Sequence, residues 1–336
     1  MNVGFVVYGE LERVTGGHIY DRLVVEQLRE LGDRVTVISL EPGAPPRELA
    51  SLGLDVLVAD EECFRELAPL FASAPAGLRR VLLVHHLTAW EHPPGARRDE
   101  LLSLERAALA GADGCVATSR VTADRLDHEG LARRVVVAEP GADRLPRSAT
   151  GGQEPSGALI RVLFVGNILR RKRVLELCTA FAGLPGSSAE LVLVGAELEP
   201  DYAAEVRAVV SDPDLRGRVH CCGPLPAAGV AEQLALADVL VLPSELEGYG
   251  MVLSEALWAS VPVIAARVGA AERLVNQTEA GLLYEPNDRA GLSATLAAFV
   301  ADAALRARLR QAAWNAADSL PRWRDTALAL RASLVA

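Results

Sequence analysis

Long apolar runs are missing from this chain. No stretch reaches the ~18 consecutive residues that a membrane-spanning helix needs, and the first residues carry no positively charged leader of a secretory signal. Cysteine is scarce and unpatterned. The five cysteines, at 63, 115, 178, 221 and 222, are odd in number and lack metal-ligand spacing, and the adjacent Cys221 and Cys222 are poorly placed to pair. A reduced, cytoplasmic setting is the expectation. Positive charge is in deficit: the formal net charge of −10 argues against a nucleic-acid surface. The pairs Arg79-Arg80 and Arg97-Arg98 are isolated, and the first 150 residues are net acidic, so stable membrane docking is unsupported. An anionic ligand would have to find a local basic pocket, because the global field opposes it. Lysine is almost absent. Of 34 basic residues, Lys172 is the only lysine. The G-x-G-x-x-G fingerprint is missing too, so dinucleotide binding is poorly supported.

What is present is α/β patterning, and a length of 336 residues predicts two domains. Met1 to Val7 reads as a buried strand, then comes the turn Gly16-Gly17, a helix with apolar spacing that stops at Gly32, and the strand RVTVISL. Residues 54–59 and 81–84 read as further parallel strands, the second ending in His85-His86. A helix over residues 100–110 and a strand at 114–117 follow, and the turn Pro140-Gly141-Ala142-Asp143 closes the first half. The first domain is placed at residues 1–145. Residues 146–158, PRSATGGQEPSGA, have no periodicity and read as a linker. The second domain, 159–320, restarts with the strand IRVLFVG, and helix–strand alternation continues to a break at Pro321. The literal Asp-x-Asp at Asp212 to Asp214 contains Pro213 and reads as a turn, and no metal is expected.

The second domain is organised around residues 242–266, LPSELEGYGMVLSEALWASVPVIAA. A glycine-bearing loop that feeds a helix N-terminus is a ready anion site, because free backbone N–H groups and the helix dipole point at the ligand. Gly248 and Gly250 let the backbone approach closely. Glu247 precedes the turn and Glu255 lies about two turns into the helix, so the two carboxylates bracket the loop. Such an arrangement suits a ligand that alternates phosphate with polyol. Residues 170–173, Arg-Arg-Lys-Arg, put four cations between a strand and a helix start, where the dipole disfavours them unless an anion sits there as well. Use of the single lysine at this point suggests a position that wants a compact ammonium. The plainer readings are a solvated basic turn at 170–173, an ordinary helix start at Gly16-Gly17, and a polar loop residue at His85.

The pattern P-S-x-x-E-G-Y-G-x-x-x-x-E-A-x-x-x-x-x-P-V-I-A resembles the signature of retaining glycosyltransferases of family 4, which have the GT-B fold. The resemblance implies two Rossmann-like parallel-sheet domains facing across a cleft, with the helix of residues 321–336 crossing back to the first domain. It implies transfer of a sugar from a nucleotide-diphosphate sugar to an acceptor hydroxyl on the same face, with no metal and no cofactor. Glu247 would orient the donor sugar and Glu255 the ribose, while Lys172, Arg171 and the amides of Tyr249, Gly250, Met251 and Val252 would meet the diphosphate. His85 would reach the donor sugar, and Gly16-Gly17 would lie beside the diphosphate. Family members commonly read G-R-x-x-x-x-K-G at the basic turn. Gly166 and Lys172 match this, Asn167 replaces the arginine, and Arg173 replaces the second glycine. The acceptor, whether small molecule, glycan or lipid, and the donor base are not legible. A nucleotide-sugar epimerase of the same fold and a non-catalytic nucleotide-sugar-binding protein are the alternatives.

Overall fold

A computed structural model describes residues 1–43, 49–132, 134–147, 159–186 and 188–335. These divide into two compact units, residues 1–141 with 321–336 and residues 142–320. From position 148 onward the expected linker lies outside the described residues.

The first unit holds strands β1 (Asn2–Tyr8), β2 (Arg34–Leu40), β3 (Val56–Asp60), β4 (Arg79–Val84), β5 (Gly114–Ala117) and β6 (Val136–Val137). They form one parallel sheet in the order β2-β1-β3-β4-β5-β6. A parallel sheet is covered on both faces, so its central strands must be apolar throughout. β3, VLVAD, is buried at every position, whereas the edge strand β6 is not. The connections include α1 (Gly16–Glu30), α2 (Phe64–Ala72), α3 (Ala96–Gly111) and α4 (Arg120–His128). Thr15 caps α1 by accepting the His18 amide, and Ser119 caps α4 by accepting that of Thr122.

The second unit repeats the plan with β7 (Ile160–Val165), β8 (Ala189–Val194), β9 (Val219–Gly223), β10 (Val239–Leu242), β11 (Val263–Ala266) and β12 (Gly281–Tyr284). Its parallel order is β12-β11-β10-β7-β8-β9. Among the described residues, seven α-helices accompany it: α5 (Val174–Ala182), α6 (Pro200–Val210), α7 (Ala227–Leu236), α8 (Met251–Trp258), α9 (Ala271–Thr278), α10 (Arg289–Ala301) and α11 (Ala303–Ala316). In α5 the buried residues Val174, Leu177, Cys178 and Phe181 follow the spacing of one helical face. Asp212 accepts the Asp214 amide at 2.9 Å, the geometry of a turn. No single helix among the described residues is long and apolar enough to cross a membrane.

The last helix, α12 (Trp323–Val335), packs on α1 within the first unit, and Tyr20 meets the Trp323 ring edge-on at 5.5 Å. Its start lies directly on Gly141, where an added Cβ would overlap the Trp323 backbone. Backbone cannot step aside as a flexible side chain can. Gly141→Ala is therefore expected to cost ~1–3 kcal/mol, measured as a lowered midpoint in denaturant titration.

Glu105 on α3 is buried, and its Oε1 accepts the Ala89 amide in the turn that follows β4. Burial pushes its carboxyl up from 4.5 to about 7, although the hydrogen bonds from Ala89 and Thr88 pull the other way. The folded chain thus holds this proton more tightly than the unfolded one. The resulting stabilisation is complete below pH 4.5 and is lost as pH rises towards 7. Glu105→Gln should remove on the order of 3 kcal/mol of that pH dependence, read as the difference between variant and wild-type stability across the window.

Candidate active site

In the second sheet the strand order reverses direction between β7 and β10, which are hydrogen-bonded neighbours. Connections leave such a pair on opposite faces and open a crevice beyond the strand C-terminal ends. The loop after β7 carries Gly166 to Arg173, and the loop after β10 carries Pro243 to Gly250. Two residues 75 positions apart meet there: Lys172 Nζ donates to Glu247 Oε1 at 2.5 Å. Burial by itself would raise the Glu247 carboxyl, but the charges of Lys172 and Arg171 hold it below the usual carboxylate range. The two loops are also tied through backbone groups. The Glu245 amide donates to the Arg171 carbonyl at 2.9 Å, and Arg171 Nη1 donates to the Leu246 carbonyl at 3.3 Å.

The basic turn is divided in its allegiance. Arg170 points to Glu205 and lies over the Tyr202 ring, while Arg173 binds Glu176, Glu245 and Asn287. Arg171, Lys172 and Arg173 all reach the second loop, Arg173 through Glu245 at its start and the other two nearer Glu247. Arg173 has φ of 55°, in the left-handed region. This accounts for glycine in the family pattern at this position, since an L side chain there costs ~1–2 kcal/mol. The three polar partners of the guanidinium offset that cost. Asn167 also has a distinct place: its Oδ1 accepts the Ala196 amide at 3.2 Å, joining the loops after β7 and β8. Beside it, Gly195 packs on the carbonyl of Gly166 too closely for any side chain.

Gly250 caps α8 with φ of 88°. Gly248 and Tyr249 precede it, and Met251 and Val252 form the first turn. The loop is closed from the far side by Gly269, where a Cβ would come within 2.9 Å of the Glu247 Cβ and carbonyl. The Tyr249 carbonyl accepts the Ala270 amide at 3.1 Å. Glu255, one turn further along α8, is buried and paired with Arg144: Nε donates to Oε1 at 2.6 Å and Nη2 to Oε2 at 2.8 Å. Sequence reasoning missed Arg144, because 111 residues separate the pair and no local pattern joins them.

In the first unit, Gly16 and Gly17 form the first turn of α1, and Gly17 lies against the ring of His85. His85 sits just past β4, edge-on to Tyr20 at 5.1 Å, with Nε2 3.3 Å from Asp21 Oδ1. Its amide donates to Glu61 at 2.9 Å. Asp60 completes the group, with ligand-type atoms of Asp21, Asp60 and His85 within 4.8 Å of one another. Burial would push the imidazole pKa down. The hydrogen bond to Asp21 and the charges of Glu61, Asp21 and Asp60 instead take it up to about 10. Burial and the charge of Asp60 push Asp21 and Glu61 well up, so Asp60 keeps the negative charge. Asp21 was open to discovery in the sequence, as an acid on the same helical face as Gly17 and Val25.

The switch point of the second sheet is thus lined by a cationic turn, a glycine-capped helix and two carboxylates. Residues 154–315 match the family model of glycosyl transferases group 1. This part of the chain is similar to that family, and the fold is GT-B. Among curated relatives, a D-inositol 3-phosphate glycosyltransferase of Xylanimonas cellulosilytica is 31% identical over 241 residues, covering 67% of this chain and 57% of the relative. The chain thus spans little more than half the length of such relatives. Sucrose-phosphate synthase from Thermosynechococcus elongatus superposes with a TM-score of 0.80 at 22% identity, over 98% of this chain and 97% of that one. HepE of Anabaena, solved with UDP-glucose, gives 0.81 at 18% identity, over 100% and 99%.

Proposed function

We propose that the chain is a retaining glycosyltransferase that moves a sugar from a nucleotide-diphosphate sugar to an acceptor hydroxyl, with no metal. The contact between Lys172 and Glu247 at the switch point of the second sheet carries this reading. In this reading Lys172 is a compact cation for a leaving phosphate and Glu247 a carboxylate for sugar hydroxyls, both close to the start of α8. As the bond from the anomeric carbon to the diphosphate breaks, negative charge grows on the phosphate. Lys172, Arg171 and the α8 amides are fixed in place beforehand, and such preorganised donors are often the largest single contribution to rate. Glu247 holds the sugar and Glu255 the ribose. The leaving diphosphate can itself take the acceptor proton, so no separate base is needed. The resemblance to curated glycosyltransferases supports the reading, and the UDP-glucose complex of HepE supports a nucleotide-sugar donor. The test is the anomeric configuration of the product, followed by NMR from an α-linked donor with a chelator present. An α product supports the reading, while a β product, or activity that needs added metal, overturns it.

A further inference from the structure

The pairing of Arg144 with Glu255 carries a consequence for ligand selection. Glu255 is 3% exposed and both of its oxygens are engaged by one guanidinium. The side chain of Arg144, which covers it, is itself only 11% exposed. Arg144 is held there by its neighbours in the chain: the Leu145 carbonyl accepts Trp258 Nε1 at 2.9 Å, and the Arg147 guanidinium lies 4.4 Å over the Trp314 ring. In a forked pair of this kind each nitrogen uses the inward-facing lone pair of one oxygen. A ribose cis-diol bound side by side would need those same lone pairs. Arg144 and the diol therefore compete for one edge of one carboxylate.

We propose that Arg144 is a specificity-determining gate: without ligand it occupies the ribose edge of Glu255, and it gives up that edge only to a ligand that brings a phosphate for the guanidinium to bind instead. This rests on the reading of Glu255 as the ribose ligand. A planar guanidinium fork fits phosphate as well as it fits carboxylate, and in a nucleotide the ribose and first phosphate are adjacent. A nucleoside without phosphates must break the pair and leave both charges uncompensated. A nucleoside diphosphate exchanges one anion for another. The site would thus refuse nucleosides and admit their diphosphates, beyond what Lys172 and the α8 amides contribute.

The test is calorimetric titration with uridine, guanosine, adenosine and cytidine and their 5′-diphosphates, on wild type, Arg144→Lys and Arg144→Met. Removing the competitor in Arg144→Met should tighten nucleoside binding ~10-fold and weaken diphosphate binding by a similar factor. Arg144→Lys retains the charge but cannot span both oxygens, so it should fall between the two and serves if the methionine variant does not fold. Shifts in opposite directions support the gate. Equal loss of both ligands, as from a packing defect, or no change in either, overturns it. If Glu255→Gln leaves every affinity unchanged, Glu255 is not the ribose ligand and the gate falls, while the transferase reading based on Lys172 stands. Absence of any nucleotide binding to the wild type removes that reading as well.

Discussion

Lys172→Ala is expected to slow cleavage of the donor ~10²–10³-fold, measured as release of nucleoside diphosphate to water or to an acceptor. The variant loses the ammonium that, in the proposed reaction, would meet the growing charge. It also leaves the Glu247 carboxylate, 9% exposed, without its 2.5 Å partner. Breaking one half of a buried pair typically costs ~3–5 kcal/mol, whereas replacing both halves with neutral residues is often close to neutral. The double variant Lys172→Met with Glu247→Gln separates the two effects. It should recover stability to within ~1 kcal/mol of wild type and recover none of the rate. A double variant that is both stable and active would remove the pair from the chemistry.

Glu247→Ala is the second large effect. Its carboxylate is expected to hold hydroxyls of the transferred sugar, so kcat/KM for the nucleotide sugar should fall ~10²-fold or more. The sugar-free nucleoside diphosphate should bind within a few-fold of wild type, because in the proposed complex its phosphates would meet Arg171, Lys172 and the α8 amides. The contrast between sugar nucleotide and diphosphate is the informative readout. Parallel loss of both would mean that Glu247 acts by holding Lys172 and makes no contact with the sugar.

Much of the fold was legible because parallel strands are buried on both faces and read as short apolar runs. VGFVV, VLFV and VLVL all fall inside observed strands. The helices α2 and α4 were harder to read. α2 contains Pro69, and α4 is a short, largely polar segment whose one clear signal is the cap at Ser119. The candidate site divides along similar lines. Loop and helix-start chemistry is local, so the Lys172 turn and the Gly250 cap can be seen in a single sequence. The partners that set charge are remote: Arg144 reaches Glu255 across 111 residues, and Asp21 reaches His85 across 64. A run of four basic residues likewise says nothing about direction. Here Arg170 turns to a carboxylate of a neighbouring helix, Arg171 and Lys172 turn to the site loop, and Arg173 is shared between Glu176 and the start of that loop at Glu245.

The most direct test of the central claim is thermal stability in the presence of UDP, GDP, ADP and dTDP and their sugars. A ligand at 100 times its dissociation constant adds ~2.7 kcal/mol to the folded state, a shift that such a scan resolves. A clear rise with one nucleotide, reduced in Lys172→Ala and lost in Glu255→Ala, is the predicted result. No rise with any of them, or a rise that both variants keep, would contradict the placement of a nucleotide sugar between the Lys172 turn and α8.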